Sequence, residues 1–404
     1  MTKKIYDPIH KFIALDPWEV KLIRTLPFKR LQAIHQIGSA SFVYGGGDHK
    51  RFDHSIGAMF VVSKIFDQVT NAESLENFPS IDLKKLPYWR KVLRAAALCH
   101  DLGHPPFSHL AEIPLLGEHG HELWTLKIIR SHYLTPIWEI AGITPEDVAK
   151  VAVGEKMYGK PMTAWENLVS EILTGDFFGG DRIDYLLRDA YFTGLAYGHF
   201  DYLQLIDSLR ILPFNQCMVL GVEEDGLESC YSLLLARYFM HKRLYQNPNV
   251  KSYSYHLKTF ILHFFKDQPY LDSVDNYLRI NDFEILKEIN TALFDKDHPM
   301  HEHAMAIMDQ EHRVSVFSMS KTEYDALKEG LKLEEGIIHF ENNQVSKTKQ
   351  GLRFPVLMKN DIVVPAHDVS EVSIPVNFNN WVYIRPDKVN EIIRKLDHDP
   401  TVSL

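Results

Sequence analysis

The ten residues from His100 to His109, HDLGHPPFSH, constrain the fold more than any other stretch of this chain. The run before them, WRKVLRAAALCHD, has the apolar spacing of an α-helix, and Gly103 followed by Pro105 and Pro106 prevents that helix from continuing. The two later histidines must therefore lie on an irregular, constrained turn. An imidazole beside a carboxylate can bind a divalent cation, although an Asp at a helix end is also a common cap.

Composition narrows the class of protein. The 404 residues are 45% hydrophobic, enough to bury a large core, and the formal net charge of -9 argues against binding nucleic acid mainly through phosphate neutralisation. Three cysteines, Cys99, Cys217 and Cys230, form no paired framework, so we expect a reducing compartment, the cytoplasm by default. Neither an apolar signal core nor a run of about 18 apolar residues occurs, and no membrane anchor is expected.

Apolar periodicity predicts a mainly α-helical fold. Helices are expected over residues 18–25, 52–69, 89–101, 163–173, 232–246, 282–293 and 300–311, with another beginning at Asp181. The runs ILPF and CMVLGV predict a small hairpin, and alternating apolar residues between about 335 and 385 predict a strand-containing appendage. We therefore expect a helical domain over residues 1–265 and, over 266–404, a helical region with a small mixed α/β appendage.

Two of the predicted helices carry polar residues that would share one helical face. They stand at i, i+4 and i+8: Asp181, Tyr185 and Asp189 in the first helix, and Arg237, His241 and Tyr245 in the second. A surface helix with simple ion pairs would look like the first. The aromatic and cationic face of the second suits a phosphate and a base.

Taken in chain order, His54, the His100–Asp101 pair and an acidic residue of GGDRIDYLLRD resemble the ligand set of HD-domain metal phosphohydrolases. The resemblance continues through DPIHKFI, QIGSASFVYGGGDHKRFDHSIG, ALCHDLGHPPFSH, HGHELW, DRIDYLLRD and HKRLYQ, which are similar to successive motifs of the dGTP triphosphohydrolase-like branch. That branch includes the SAM-and-HD-domain dNTP triphosphohydrolases, whose SAM domain has no counterpart in the resemblance. Residues 4–250 are covered strongly and the rest weakly.

The resemblance implies an HD-domain helical fold and one divalent metal ion, which could be Mn, Fe, Mg, Zn or Ni. Its implied ligands are His54, His100, Asp101 and Asp181, with Asp184 as the nearby rival of the last. The implied catalytic residues are His104, His109, Glu112, His121 and Glu122, with His109 acting on the α-phosphate and the leaving 5′-oxygen. The implied substrate-binding residues are Arg51, Arg182 and Arg237 for the phosphates, Gln36, Ile37, Tyr185 and Asp189 for the sugar, and His241, Tyr245 and Gln246 for the sugar and base.

The implied activity is hydrolysis of a dNTP to deoxynucleoside and tripolyphosphate. Two alternatives stay open: the same chemistry on a nucleoside monophosphate, alarmone or cyclic nucleotide, and a non-enzymatic nucleotide sensor or nucleic-acid-binding scaffold. The implied partners are a nucleotide and further copies of the chain, in a dimer, tetramer or hexamer. A nucleotide activator is also allowed, but Arg24 and Gln32 depart from the guanine activator site of the animal members.

Overall fold

The computed structural model describes residues 3–71, 82–266, 268–309, 313–319, 337–342, 352–370, 372 and 380–390. Helices dominate these ranges, which confirms the predicted mainly α fold. They are α1 (Pro17–Leu22), α2 (Leu26–Arg30), α3 (Arg51–Val69), α4 (Leu86–Cys99), α5 (Glu112–Leu116), α6 (Gly120–Ile129), α7 (Thr135–Ala141), α8 (Pro145–Tyr158), α9 (Ala164–Thr174), α10 (Gly180–Thr193), α11 (Tyr202–Ser208), α12 (Leu227–Met240), α13 (Pro248–Phe265), α14 (Val274–Tyr277), α15 (Asp282–Phe294), α16 (His301–Met308) and α17 (Ala366–Val369). Within these ranges no helix has the length and apolarity needed to span a bilayer.

Helix α3 lies at the centre of the fold and packs against both α4 and α10. It buries most of its length, since its apolar side chains face both neighbours. Gly57 permits the close approach of α10, because a Cβ there would lie 2.0 Å from Asp184 Oδ1. This packing brings together the first turn of α3, the C-terminal end of α4 and the first turn of α10. His54, His100 and Asp181 stand at those three places.

The helix predicted over residues 232–246 is present, but its geometry changes part-way along. Helix α12 ends at Met240 and passes into a π-helical turn, His241–Tyr245, before Pro248 begins α13. A π turn holds one more residue than an α turn, so it rotates the side chains that follow it. The three residues predicted to share a face, Arg237, His241 and Tyr245, therefore straddle a change of helical geometry.

Within the described ranges, nine short strands form three small sheets. They are β1 (Lys3–Asp7), β2 (Lys11–Leu15), β3 (Leu209–Phe214), β4 (Cys217–Glu223), β5 (Ser315–Met319), β6 (Ile337–Asn342), β7 (Pro355–Leu357), β8 (Val363–Pro365) and β9 (Asn380–Ile384). The sheet orders are β1-β2, β3-β4-β7-β8 and β5-β9-β6. The predicted hairpin is confirmed as β3-β4, whose turn residues Asn215 and Gln216 are both left-handed. The N-terminal hairpin β1-β2 was not predicted.

Strands from the C-terminal part of the chain join both larger sheets. Strand β7 pairs in parallel with β4, matching Val222 with Val356, so the sheet begun by the β3-β4 hairpin is completed by residues beyond 265. The division into domains at residue 265 stays a prediction.

The buried apolar residues form two main clusters. The larger unites the N-terminal hairpin with α3, α4, α6 and α8 to α10. The smaller gathers Phe107 and Ala111 with apolar residues of α13, α15 and α16, such as Phe260, Ile285 and Ile307. The turn that follows α4 thus has part of its side chains in a core made by the C-terminal helices.

Candidate active site

One large cleft contains most of the residues singled out in the sequence. Its volume is about 1460 Å³, and it lies between the ends of α3, α4 and α10 and the facing side of α13. The predicted residues that line it are Gln36, Ile37, Arg51, His54, His100, Asp101, His104, His109, His121, Glu122, Asp181, Tyr185, Asp189, Arg237, His241, Tyr245 and Gln246. Glu112 and Arg182 stand beside the cleft and do not line it.

The four predicted metal ligands converge at the floor of this cleft. His54 Nε2 lies 2.9 Å from Asp181 Oδ1 and 3.6 Å from Asp101 Oδ2. His100 Nε2 lies 3.4 Å from a carboxylate oxygen of each of the same two residues. Donor atoms of His54, His100 and Asp181 are all within 4.8 Å of one another, so these residues could hold a metal ion. Two imidazole nitrogens and two carboxylates suit a divalent cation of the first transition row or magnesium.

A hydrogen bond at Nδ1 orients each of the two imidazole rings. His54 Nδ1 donates to Asp184 Oδ2 at 2.8 Å, and His100 Nδ1 donates to the Ala97 carbonyl at 2.7 Å. Each ring therefore presents its Nε2 to the centre of the site. The buried His100 Nε2 has no hydrogen-bond partner in the described part of the chain, as expected of a nitrogen that serves a ligand.

Asp184, the rival ligand, lies behind His54 and does not line the cleft. It is fully buried, and besides His54 it accepts from His10 Nε2 at 2.7 Å and from Arg188 at 2.9 Å. Arg188 also donates to Asp7 at 2.9 Å. Asp7 and His10 lie in the DPIHKFI motif, but their contacts with Arg188 and Asp184 were not predicted, because the motif is far from α10 in the chain.

The charge state of the ligands follows from these contacts. Burial by itself would lower the pKa of His54, but its hydrogen bonds to Asp181 and Asp184 raise that pKa to about 10. Burial would raise the pKa of Asp181, and the neighbouring imidazoles of His100 and His54 lower it instead. The carboxylate of Asp181 is therefore ionised at neutral pH.

A second group of histidines surrounds Glu112. Its Oε2 accepts from His109 Nδ1 at 2.6 Å, and its Oε1 accepts from the His121 backbone N–H at 2.7 Å and from His121 Nδ1 at 2.5 Å. These hydrogen bonds outweigh the effect of burial and lower the pKa of Glu112. The His109 side chain is 67% exposed. Glu112 therefore orients a solvent-facing imidazole that can exchange protons.

Donor atoms of His104, His109, Glu112 and His121 also lie within 4.8 Å of one another, so this group too could hold a metal ion. The His104 ring, however, stacks on the His121 ring, with 3.7 Å between centroids and 20° between planes. Nitrogen lone pairs lie in the ring plane, so those of two nearly parallel rings cannot converge on one ion. The geometry favours a proton-transfer cluster here. Glu122 lies at its edge, with Oε2 3.7 Å from His121 Nδ1.

Three arginines surround the cleft in two different ways. Arg51 is buried and donates to Asp101 Oδ2 at 2.6 Å and to Ser108 Oγ at 2.8 Å. Arg182 and Arg237 both donate to the Asp176 carbonyl, which holds their guanidinium groups close together. Burial and the charge of Arg182 lower the pKa of Arg237. An anion bound beside these two cations would relieve their repulsion.

The other end of the cleft is built around Asp189. Its Oδ1 accepts from His49 Nε2 at 2.7 Å, and its Oδ2 accepts from the Tyr245 hydroxyl. The Tyr185 ring stands edge-on to the Tyr245 ring at 6.4 Å. His49 lies within the QIGSASFVYGGGDHKRFDHSIG motif, but its contact with Asp189 was not predicted, because the two residues are far apart in the chain.

The turn between α4 and α5 is strained. Phe107 and Ser108 have φ angles of 55° and 62°, in the left-handed region that residues other than glycine rarely adopt. Each such residue costs about 1 kcal/mol, and it persists only where its surroundings hold it. His109 follows this pair directly.

Part of the chain is similar to a known protein domain and to proteins that contain it. Residues 51–171 match the HD domain. An uncharacterized protein of Methanocaldococcus jannaschii is 34% identical over 249 residues, which cover 62% of this chain and 47% of that protein. The human deoxynucleoside triphosphate triphosphohydrolase SAMHD1 is 29% identical over 271 residues, 61% of this chain and 42% of SAMHD1.

A solved structure extends the similarity to nearly the whole chain. The crystal structure of a hypothetical protein from Aquifex aeolicus is 28% identical, with a TM-score of 0.81, and the match covers 98% of this chain and 100% of that one. The chain spans about half the length of the curated relatives that it matches. Residues 51–171, which include α3, α4 and the residues His54, His100 and Asp101, thus match the HD domain, and the proteins similar to the chain in sequence include the SAMHD1 triphosphohydrolases.

Proposed function

We propose that this protein is a metal-dependent hydrolase of deoxynucleoside triphosphates that releases a deoxynucleoside and tripolyphosphate. The observation that carries the proposal is the convergence of His54, His100 and Asp181, with Asp101 beside them, on the floor of a cleft that Arg237 and the Asp189–Tyr245 contact also line. The similarity to SAMHD1 proteins supports the choice of substrate.

The four ligand residues fit a single divalent ion, because both histidine Nε2 atoms face the centre and both carboxylates are ionised. Manganese, iron, magnesium, zinc and nickel all accept such donors, and the choice among them depends on geometry and supply. When bound, such an ion neutralises phosphoryl charge and makes a nucleophilic hydroxide available near neutral pH.

The protein's own groups supply the remaining chemistry. In the overall reaction a water oxygen attacks the α-phosphorus, the bond from phosphorus to the 5′-oxygen breaks, and that oxygen takes up a proton. His109 is exposed to the cleft and oriented by Glu112, so it is suited to deliver this proton. Arg51, Arg182 and Arg237 would neutralise the phosphate oxygens.

The Asp189 end of the cleft would select the sugar. Asp189 can accept a hydrogen bond from a 3′-hydroxyl, while the Tyr185 ring would lie against the ribose and leave little room for a 2′-hydroxyl. Gln36, Ile37, His241 and Gln246 would complete the surroundings of the sugar and base. We also propose a cytoplasmic location and assembly into a homo-oligomer, with or without a nucleotide activator.

The test is product analysis after incubation with each dNTP, NTP and dNMP in Mn²⁺ or Mg²⁺. We expect deoxynucleoside and tripolyphosphate from dNTPs only, abolished by a chelator. An Asp101→Asn variant should lose at least about 100-fold in kcat/KM, because it removes an anionic ligand next to the ion. Asp67→Asn, at an exposed ion pair of α3, is the matched control.

Inorganic phosphate from monophosphates would indicate a nucleotidase instead. Nucleotide binding without turnover in any of these metals would indicate a sensor.

A further inference from the structure

The strained turn that carries His109 is held by a segment outside the matched HD domain. This segment, residues 277–282, joins α14 to α15 and contacts the backbone of the turn. The Tyr277 hydroxyl donates to the Gly103 carbonyl at 2.5 Å. Arg30 joins the segment to the turn, since its Nε donates to the Ile280 carbonyl at 2.7 Å and its Nη1 to the His104 carbonyl at 2.9 Å.

Asp282 makes the most specific of these contacts. Its side chain is fully buried, and Oδ1 accepts from the Phe107 backbone N–H at 2.7 Å. Its other oxygen accepts from the His35 backbone N–H at 2.8 Å and from His35 Nδ1 at 2.6 Å. The carboxylate of Asp282 therefore connects two walls of the cleft. It binds His35, which precedes Gln36 at one wall, and Phe107, which precedes Ser108 at the other.

The turn, held in this way, orients groups that would face the phosphates of the substrate. Ser108 Oγ donates to the His35 carbonyl at 2.7 Å and accepts from Arg51 Nε at 2.8 Å, and Arg51 reaches Asp101. The His35 ring stacks on the Phe107 ring at 5.8 Å with 6° between planes. A left-handed Phe107–Ser108 pair would relax without such restraints, which would move His109 and Ser108 together.

We propose that Asp282 is a positioning residue for the proposed reaction: it fixes the left-handed Phe107–Ser108 turn and thereby aims His109 and Arg51 at the substrate. The expected loss of activity rests on the proposed function. The expected displacement of the turn rests on geometry alone. Through Asp282, the C-terminal part of the chain has a role in the site.

The variant Asp282→Asn tests this. An amide has a single oxygen, so it cannot accept from both Phe107 and His35. With a dNTP and Mn²⁺ we expect kcat to fall about 10- to 100-fold, with KM changed less than about threefold and Mn²⁺ binding unchanged. Asp48→Asn is the matched control, because Asp48 binds the other nitrogen of the same His35 ring, Nε2, from an exposed position, and should stay within about twofold of the unaltered kcat.

A second measurement does not depend on turnover. In protein labelled with ¹⁵N-histidine, the His109 ring signals, assigned with a His109→Gln variant, should shift in Asp282→Asn and stay unchanged in Asp48→Asn. Unshifted His109 signals or an unchanged kcat would overturn the proposal. If the unaltered protein shows no hydrolysis but the signals shift as expected, the proposed function fails and the positioning role stands.

If Asp282→Asn does not fold, amide hydrogen exchange in the unaltered protein tests the proposal instead. The Phe107 amide should exchange as slowly as amides inside α3, because its acceptor is buried. Exchange at the rate of an exposed loop would contradict the proposal.

Discussion

At the scale of single residues, the His54 ring shows how the candidate site is oriented from behind. Its Nδ1 is tied to Asp184, which is tied in turn to Arg188 and to His10 of the N-terminal hairpin. A ligand imidazole with a carboxylate on its far nitrogen has a fixed tautomer and greater basicity. The hairpin thus bears on the metal site although none of its residues would touch the ion.

We expect Asp184→Asn to weaken Mn²⁺ binding about 10- to 100-fold, because a neutral amide cannot support the His54 ring as a carboxylate does. Titration calorimetry with Mn²⁺ measures this, and circular dichroism shows whether the variant is folded. Asp67→Asn should bind Mn²⁺ like the unaltered protein. Equal affinity in a folded Asp184→Asn variant would mean that this residue only stabilises the fold.

At the scale of elements, the distance between α3 and α10 decides whether the ligands meet. Gly57 is the point of closest approach, where a Cβ would also lie 2.2 Å from Arg188 Nη2. Both neighbouring groups are buried in an ion network and cannot move without breaking it.

Gly57→Ala should therefore lower the free energy of unfolding by more than about 2 kcal/mol, despite the higher helix propensity of alanine. Gly45→Ala is its control, because a Cβ there meets no atom of the described residues within 4 Å, and it should change stability by less than about 0.5 kcal/mol. Urea unfolding of the two variants measures the difference. Similar stabilities would mean that α10 can shift without penalty.

Another contact between elements gives a dependence on pH. Glu171 of α9 accepts from the Leu220 N–H of β4 at 3.2 Å, and burial raises the pKa of Glu171 to about 7. The folded state therefore holds this proton more tightly than the unfolded state does, and the stability it contributes is present below about pH 4.5 and lost as the pH rises to 7.

A Glu171→Gln variant carries no titrating proton. Its stability relative to the unaltered protein should rise between pH 4.5 and 8, by up to about 3 kcal/mol. Urea unfolding at pH 5 and pH 8 tests this, with Glu155→Gln, at an exposed carboxylate, as the control. A difference that does not change with pH would show that Glu171 is ionised in the folded protein throughout.

At the scale of the whole molecule, the parts of the candidate site that lie within contiguous sequence motifs could be predicted from sequence. His54, His100 and Asp181 each stand at a helix end, and apolar periodicity locates those ends. The role of Asp282, and that of His10 within the DPIHKFI motif, could not be found in this way, because their partners lie far away in the chain and a single buried side chain leaves no periodic signal. The N-terminal hairpin escaped for a similar reason, since a pair of five-residue strands offers little alternation to read.

The parallel pairing of β4 with β7 has a consequence for synthesis of the chain. Residues 355–357 leave the ribosome long after residues 217–223, so β4 must wait with one edge unpaired while the intervening helices form. Parallel pairing between distant segments is slow because a large loop must close first. The β3-β4 hairpin is thus exposed to pairing with another copy of the chain until β7 emerges and covers that edge of β4.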